Sequence, residues 1–251
     1  MGLERKPFQG VFNIIRFNWH FYVIAGAVLI VLFIIKYFVP VFLQSVIIWL
    51  GILILIPITV SVLTSFYVYD YSDLYKLYWF SDLNEKKVLN VNAGFDETSA
   101  IIKHIFPKTD LTICDFYNAE KHTEISMERA RKAYPSHKHT VKVDASALPF
   151  KNGVFSHVIT IFSAHEIRNQ NERILFLKEL NRITELDGHI YITEHLRDFN
   201  NFLAYNIGFL HFYTKSSWLK VFENSDLYLE REIKITPFIS TFVLKKNGNT
   251  F

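Results

Sequence analysis

The chain has 251 residues, room for one ordinary domain and something beside it. Half of its residues are hydrophobic and 16% are aromatic, while the net charge is only +3. So small a charge, with no basic run interleaved with aromatics, argues against nucleic acid as a partner, and the single cysteine, Cys114, excludes an internal disulfide framework and a cysteine-built zinc site.

The apolar excess lies at the N-terminus. From Phe17 to Tyr69 the only charged residue, counting histidine as neutral, is Lys36. Phe17–Ile35 forms one apolar stretch, about 28 Å long as a helix and so enough to cross a bilayer core. Val41–Tyr69 is a second, with Pro57 expected to kink it, and residues 36–40 between them suit a tight turn. The region is too long for a cleaved signal peptide, comes in two segments and lacks a small-residue cleavage site. A buried helical hairpin of a soluble protein is the competing reading. Arg5, Lys6 and Arg16 precede the first span and Lys76, Lys86 and Lys87 follow the second, so the expectation is a two-span membrane protein with both termini and the following domain cytoplasmic. Gly26, between Ala25 and Ala27, offers a weak signal for homo-oligomer contact through the hairpin. Residues 1–70 are thus assigned to the hairpin. Residues 71–85 are assigned to an interfacial linker, with Tyr71–Phe80 as an amphipathic helix on the membrane surface or, equally, a core helix of the domain.

Residues 86–251 change pattern. Strands are expected at Val88–Asn92, Leu111–Cys114, Thr140–Val143, Val158–Phe162 and His189–Thr193, and helices at Glu97–Phe106, Glu124–Ala133 and Glu172–Thr184. Strand alternating with helix at this pitch means an α/β domain with a parallel sheet covered on both faces. Leu227–Ile235 and Phe238–Lys245, broken at Thr236-Pro237, suggest a strand pair completing the sheet. Cys114 falls within a strand and reads as packing.

Ligands of an open α/β sheet bind beyond the strand carboxyl ends. The first strand runs into Asn92-Ala93-Gly94-Phe95-Asp96, a turn where Gly94 lets backbone approach a ligand and Asn92 tolerates positive φ. Asp115 ends the second strand, placed for two vicinal ribose hydroxyls. Asp144 follows the third, where an acid can accept from an adenine amino group. The bend at Gly94 and the two acids should enclose a nucleoside-sized hollow.

Val88–Asp96, Asp115, Asp144–Phe150, Phe155–Ile167 and Glu179–Glu194 resemble the motifs of class I S-adenosylmethionine (SAM) methyltransferases, nearest to the ubiquinone/menaquinone type. The resemblance implies a Rossmann-like seven-stranded methyltransferase sheet with its last strand antiparallel, and SAM as cofactor. It implies that Asn90 holds the place of the family's acid and that Asn92, Ala93 and Gly94 cradle the methionine end. Asp115 would hold the ribose, Asp144 and Ala145 would flank the adenine, and the Ile161 carbonyl would accept from its amino group. Asn90, Asn92 and Asp96 depart from the family's acid and two glycines, and Ser156 from its usual Asp. The departures leave open a degenerate domain that no longer catalyses.

Methyl transfer needs an aligned acceptor and often a base. His165, Glu166, Glu194 and His195, at the ends of the fourth and fifth strands, are the candidates, with His165, His195 and Glu194 as catalytic residues. The competing readings are a hydrogen-bonded structural histidine and an ion-pair network. His211 and Tyr213 are candidates for the acceptor pocket, although their aromatic surroundings equally suit core or membrane contact. No helical spacing joins these groups as metal ligands, so no metal is expected. The anchor points to a lipophilic acceptor, quinone-like, phenolic or lipid, methylated at the membrane surface. The alternative is a membrane-bound scaffold or ligand sensor built on a methyltransferase-like domain.

Overall fold

The computed structural model describes residues 5–248. Three helices come first, α1 (Gln9–Phe17), α2 (Trp19–Ile35) and α3 (Val41–Phe66). The helical path continues from α3 through a π-turn at Tyr67–Tyr71 and a 3-10 turn at Leu74–Lys76. The domain then runs β1 (Lys87–Asn92), α4 (Ser99–Ile105), β2 (Asp110–Asp115), α5 (Ile125–Ala133), β3 (Val141–Lys142), β4 (Phe155–Ile161), α6 (Gln170–Ile183) and β5 (Thr184–His195). It ends with α7 (Phe199–Tyr205), α8 (Lys215–Glu223), β6 (Leu227–Thr236) and β7 (Ile239–Lys246).

The strands form one seven-stranded sheet in the order β3-β2-β1-β4-β5-β7-β6. All pairings are parallel except those of β7 with β5 and β6. Side chains alternate between the faces because successive Cβ atoms point opposite ways. Leu89, Val91, Val158, Ile190 and Ile192 enter one core with Phe176 and Leu180 of α6 and Trp218 of α8. Val88, Ile159, Tyr191 and Val243 enter the other with Ile102 of α4. Asparagine, aspartate and threonine start α6, α7 and α8 by accepting backbone N–H bonds through Asn169, Asp198 and Thr214. Cys114 is fully buried, and burial, then the neighbouring Asp115, pushes its thiol up to about 12, so it packs and does not react.

Two expectations are corrected. The helix does not run unbroken from Phe17: the chain turns by 71° between α1 and α2, and Phe17 is buried against the domain. Tyr71–Phe80 is no amphipathic helix either. Beyond the 3-10 turn it is irregular, and Leu74, Leu77, Phe80 and Leu83 are buried, the last three beneath the β1/β4/β5 face. Three large apolar side chains within seven residues stabilise more when they fill that sheet face than when they lie at an interface.

By length and composition, the helical path Val41–Lys76 suffices to cross a bilayer, and α1 with α2 does so only as a bent pair. No residue of α2 and only Ser65 of α3 is buried. Phe33, Phe38 and Leu53 are 60%, 83% and 68% exposed, a surface that water solvates poorly.

His157 of β4 makes the domain acid-sensitive. Ser81 Oγ lies 3.2 Å from its Nε2, and burial, then the charges of His189 and Lys86, pushes its pKa from 6.5 down to about 4. Below the unfolded value the unfolded chain binds a proton that the native state refuses. The native advantage is therefore whole above pH ~6.5 and shrinks as pH falls towards 4, by up to about 3 kcal/mol. His157→Gln should flatten the acid side of the Tm-against-pH curve of the purified protein. Parallel curves for the two proteins would rule this origin out.

Candidate active site

The register of β1 on β2 sets Asn92 opposite Asp115, which bring their tips together at the switch point between β1 and β4. Asn90 and Asn92 share the α4 side of the sheet. The Asn92 carboxamide oxygen accepts from the Gly94 N–H at 2.9 Å, holding the bend in which Gly94 has φ +98°. Asn90 is buried, and its amide donates to Ser99 Oγ at 2.7 Å and Thr98 Oγ1 at 3.0 Å, with Asp96 Oδ1 at 3.4 Å. Asn90 thus pins the loop from behind. Ala93 points into the main core.

Asp96 is the residue that sequence reasoning undervalued. Its Oδ1 accepts from the N–H groups of Thr98 and Ser99 at the start of α4. Its Oδ2 is buried without a hydrogen-bond partner. Asp96 lines a cavity of about 200 Å³ with Asn92, Gly94, Tyr134, Ser136 and His137. Six residues after position 90, where the family has its acid, Asp96 brings a carboxylate into contact with Asn90. A buried carboxylate oxygen without a donor, beside a glycine bend, fits the ammonium end of a bound SAM.

Asp115 is fully buried. Its Oδ1 accepts from the Tyr117 N–H at 2.8 Å, while Oδ2 meets Arg131 Nη1 at 3.0 Å and Lys142 Nζ. Arg131 corrects the expectation of an open hollow. Its guanidinium, stacked 4.0 Å over the Tyr117 ring, lies between Gly94 and Asp115, where a side chain at position 94 would collide with it. Long-range packing put it there, and no local pattern announces it. Asp144 faces solvent at the end of β3. Hydrogen bonds from the Ser146 hydroxyl and N–H lower its pKa, and Ala145 is half-buried against the main core. Ile161 ends β4 opposite Thr193.

Helix α1 roofs this loop. Phe17 packs on Phe95 with ring centroids 5.7 Å apart, and the Tyr134 hydroxyl donates to Asn13 Oδ1 at 3.0 Å. Asp70 accepts the N–H groups of Gly10 and Val11 at 2.7 and 2.8 Å, tying the start of α1 to the end of the hairpin. Glu97 gathers Arg5 at 3.2 Å and the Tyr75 hydroxyl at 2.9 Å.

The candidate catalytic groups divide. Glu194 is fully buried and holds His165, its Oε2 lying 2.6 Å from Nδ1 and its Oε1 accepting from the His165 N–H at 3.2 Å. Burial opposes a charged imidazole, but Glu194 and Glu166 outweigh it and hold the His165 pKa well above the ordinary value. His165 Nε2 faces Glu166 Oε1 at 3.3 Å, and the His211 ring packs edge-on at 5.0 Å. His195 lies apart. It is sandwiched between Phe162 and Phe212, its Nε2 meets the Tyr69 hydroxyl at 2.8 Å, and its Nδ1 is shared by Asn201 Oδ1 and the Phe238 carbonyl. Burial first pushes its pKa down to about 4. With both nitrogens engaged, His195 links the sheet to the hairpin. Tyr213 donates to the Arg168 carbonyl and supports Arg173, so it too is structural.

The model of the ubiE/COQ5 methyltransferase family matches residues 64–243. Among solved structures, a SAM-dependent methyltransferase from Aquifex aeolicus is similar at 15% identity, over 75% of this chain and 97% of that one, with a TM-score of 0.50. The PH0226 protein from Pyrococcus horikoshii OT3 is similar at 15% identity, over 70% and 88% of the two chains, with a TM-score of 0.51. These likenesses show the fold. No curated protein sequence matches the chain. With the strand order, the glycine bend and the family match in agreement, the chain belongs to the ubiE/COQ5 methyltransferase family and is a methyltransferase that uses SAM.

Proposed function

We propose that this methyltransferase acts on a lipophilic acceptor that enters from a bilayer in which α2 and α3 are anchored, with the domain on the cytoplasmic side. The observation that carries the reading is one apolar surface. The exposed flanks of α2 and α3 lead to α7, which packs on α3. From there Phe199, Phe202, Leu203, Ile207 and Leu210 present a further exposed apolar patch ending beside His211. A patch of this kind continuous with an apolar hairpin suits a lipid surface better than water.

SAM supplies the electrophilic methyl group when bound. Asp96 and Asp115 would hold its charged and ribose ends. The cluster around His165, backed by Glu194, would receive the proton of the acceptor and position its nucleophilic atom. Water exclusion would come from α1 above the loop and from the aromatic wall of Phe162 and Phe212.

Lipid extracts from cells with and without the protein test this by mass spectrometry. A lipophilic species heavier by one methylene should depend on the protein, and a water-soluble species alone would overturn the reading. Phe199→Asp combined with Ile207→Asp should lower turnover of a vesicle-embedded acceptor about tenfold or more, through the cost of placing charge against lipid, while leaving SAM affinity unchanged. Equal turnover in vesicles would mean that this patch does not meet the bilayer.

A further inference from the structure

We propose that His165, Glu166 and His211 bind one divalent transition-metal ion on the acceptor side of the site. His165 Nε2, a Glu166 carboxylate oxygen and a His211 ring nitrogen lie within 4.8 Å of one another. Glu166 Oε1 is 3.3 Å from His165 Nε2 and 3.9 Å from His211 Nε2. Behind each imidazole stands a second carboxylate. Glu194 Oε2 lies 2.6 Å from His165 Nδ1, and Glu124 Oε1 lies 2.8 Å from His211 Nδ1.

This arrangement fixes the tautomers. A neutral imidazole has one N–H, and each ring directs it to the carboxylate behind it. Both Nε2 lone pairs then converge on a carboxylate oxygen that also only accepts. With His165 and Glu166 buried, positive charge has to stand among these three groups: a second proton on the imidazoles when no ion is bound, or a metal ion in place of those protons. Imidazoles backed by carboxylates are the usual outer shell of bound transition metals, and two histidines with one carboxylate leave coordination positions open. Arms of about 2.1 Å imply ligand atoms about 3.0–3.4 Å apart. The Glu166–His165 pair already meets this. The His211 ring must move in by about 1 Å, and it sits on a short 3-10 turn with its side chain 24% exposed. That exposed edge is the route for the ion. The ligands are imidazole and carboxylate without thiolate, which suits zinc, iron(II), manganese or cobalt. No sequence spacing marks the trio, because His165 and Glu166 are neighbours and His211 arrives from a distant turn.

The role of the ion rests on the proposed acceptor chemistry, but its binding does not. Cobalt(II) titrated into chelator-treated, detergent-solubilised full-length protein is the test. One equivalent per chain should bind with a visible absorption spectrum. His211→Ala and Glu166→Gln should abolish it, and Glu124→Gln, altered only behind the ligand, should weaken it by about 10- to 100-fold. SAM affinity, measured in parallel, should remain within about twofold, since its cleft lies at the ends of β1 and β2 and none of these residues lines it. Absence of stoichiometric cobalt binding, or binding that His211→Ala leaves intact, overturns the metal site. If the chelated protein nevertheless binds SAM and methylates a lipid at full rate, only the metal fails, whereas metal binding without any methylated lipid condemns the proposed acceptor and not the site.

Discussion

Asp115→Asn is expected to weaken SAM binding by about a hundredfold while leaving the fold in place. The carboxylate can accept from both hydroxyls of a ribose, and Asn offers one acceptor where two were needed. Charge-assisted hydrogen bonds contribute about 1.5–3 kcal/mol each, so a net loss near 3 kcal/mol is about two powers of ten. Asn is the informative replacement because Asp115 is fully buried beside Arg131 and Lys142 and accepts the Tyr117 N–H. Both replacements remove the anion facing Arg131 and Lys142, but alanine would in addition leave that N–H unpaired and a cavity behind it, and so confuse binding with folding more. The same geometry gives Arg131→Gln the opposite sign. The Arg131 guanidinium lies on the Asp115 oxygen that the ribose would use, so binding must first displace it, and its removal should tighten SAM several-fold. Calorimetric titration reads both. Unchanged affinity in Asp115→Asn removes Asp115 from the cofactor's contacts, and weaker binding in Arg131→Gln would make the arginine itself one of them.

The sheet was legible because its signals are local and repetitive. Short apolar runs ending in Asn92, Asp115 and Asp144, separated by helical periods, specify parallel strands whose tips share one edge. Burial of Asn90 and exposure of Asp144 were not legible, since both depend on what a neighbouring loop donates. The displaced acid at Asp96 was visible only as a departure from a glycine. Its meaning needed three dimensions, in which Asn90 and Asp96 touch. Phe17 read as the first residue of an apolar span because composition does not distinguish lipid from an aromatic pocket formed by Phe95 and Tyr134. The segment from Phe199 to His211 carried too little periodicity to separate core from surface, and it proved to be mostly surface. Histidines were the hardest to assign. His165 and His195 follow adjacent strands, yet one ring faces a carboxylate cluster and the other is closed between two phenylalanines. Which of a histidine's nitrogens remains free is a property of its partners and not of its position in the sequence.

That distinction gives Glu194→Gln the largest expected effect on turnover, a fall of about a thousandfold with SAM affinity unchanged. One carboxylate oxygen accepts from the His165 backbone N–H and the other faces Nδ1. A glutamine of the same shape must keep its oxygen on the backbone N–H, which can only donate. Its NH2 group then faces Nδ1, and the imidazole responds by moving its proton to Nε2. The ring keeps its place but loses the carboxylate that favours its charged form. It can then neither hold a proton taken from the acceptor nor, with its one proton on Nε2, bind a metal ion beside Glu166. Because the substitution preserves volume and buries no new charge, the Tm should drop far less than it would for an alanine cavity. His195→Asn makes the contrast: it should lower Tm by breaking the Tyr69 and Asn201 contacts, yet change turnover per folded molecule little. Single-turnover rates at saturating SAM separate the two. If Glu194→Gln keeps its rate within about threefold of the parent while His195→Asn loses it, the proton-handling group lies at the closed histidine and the roles of the two histidines are reversed.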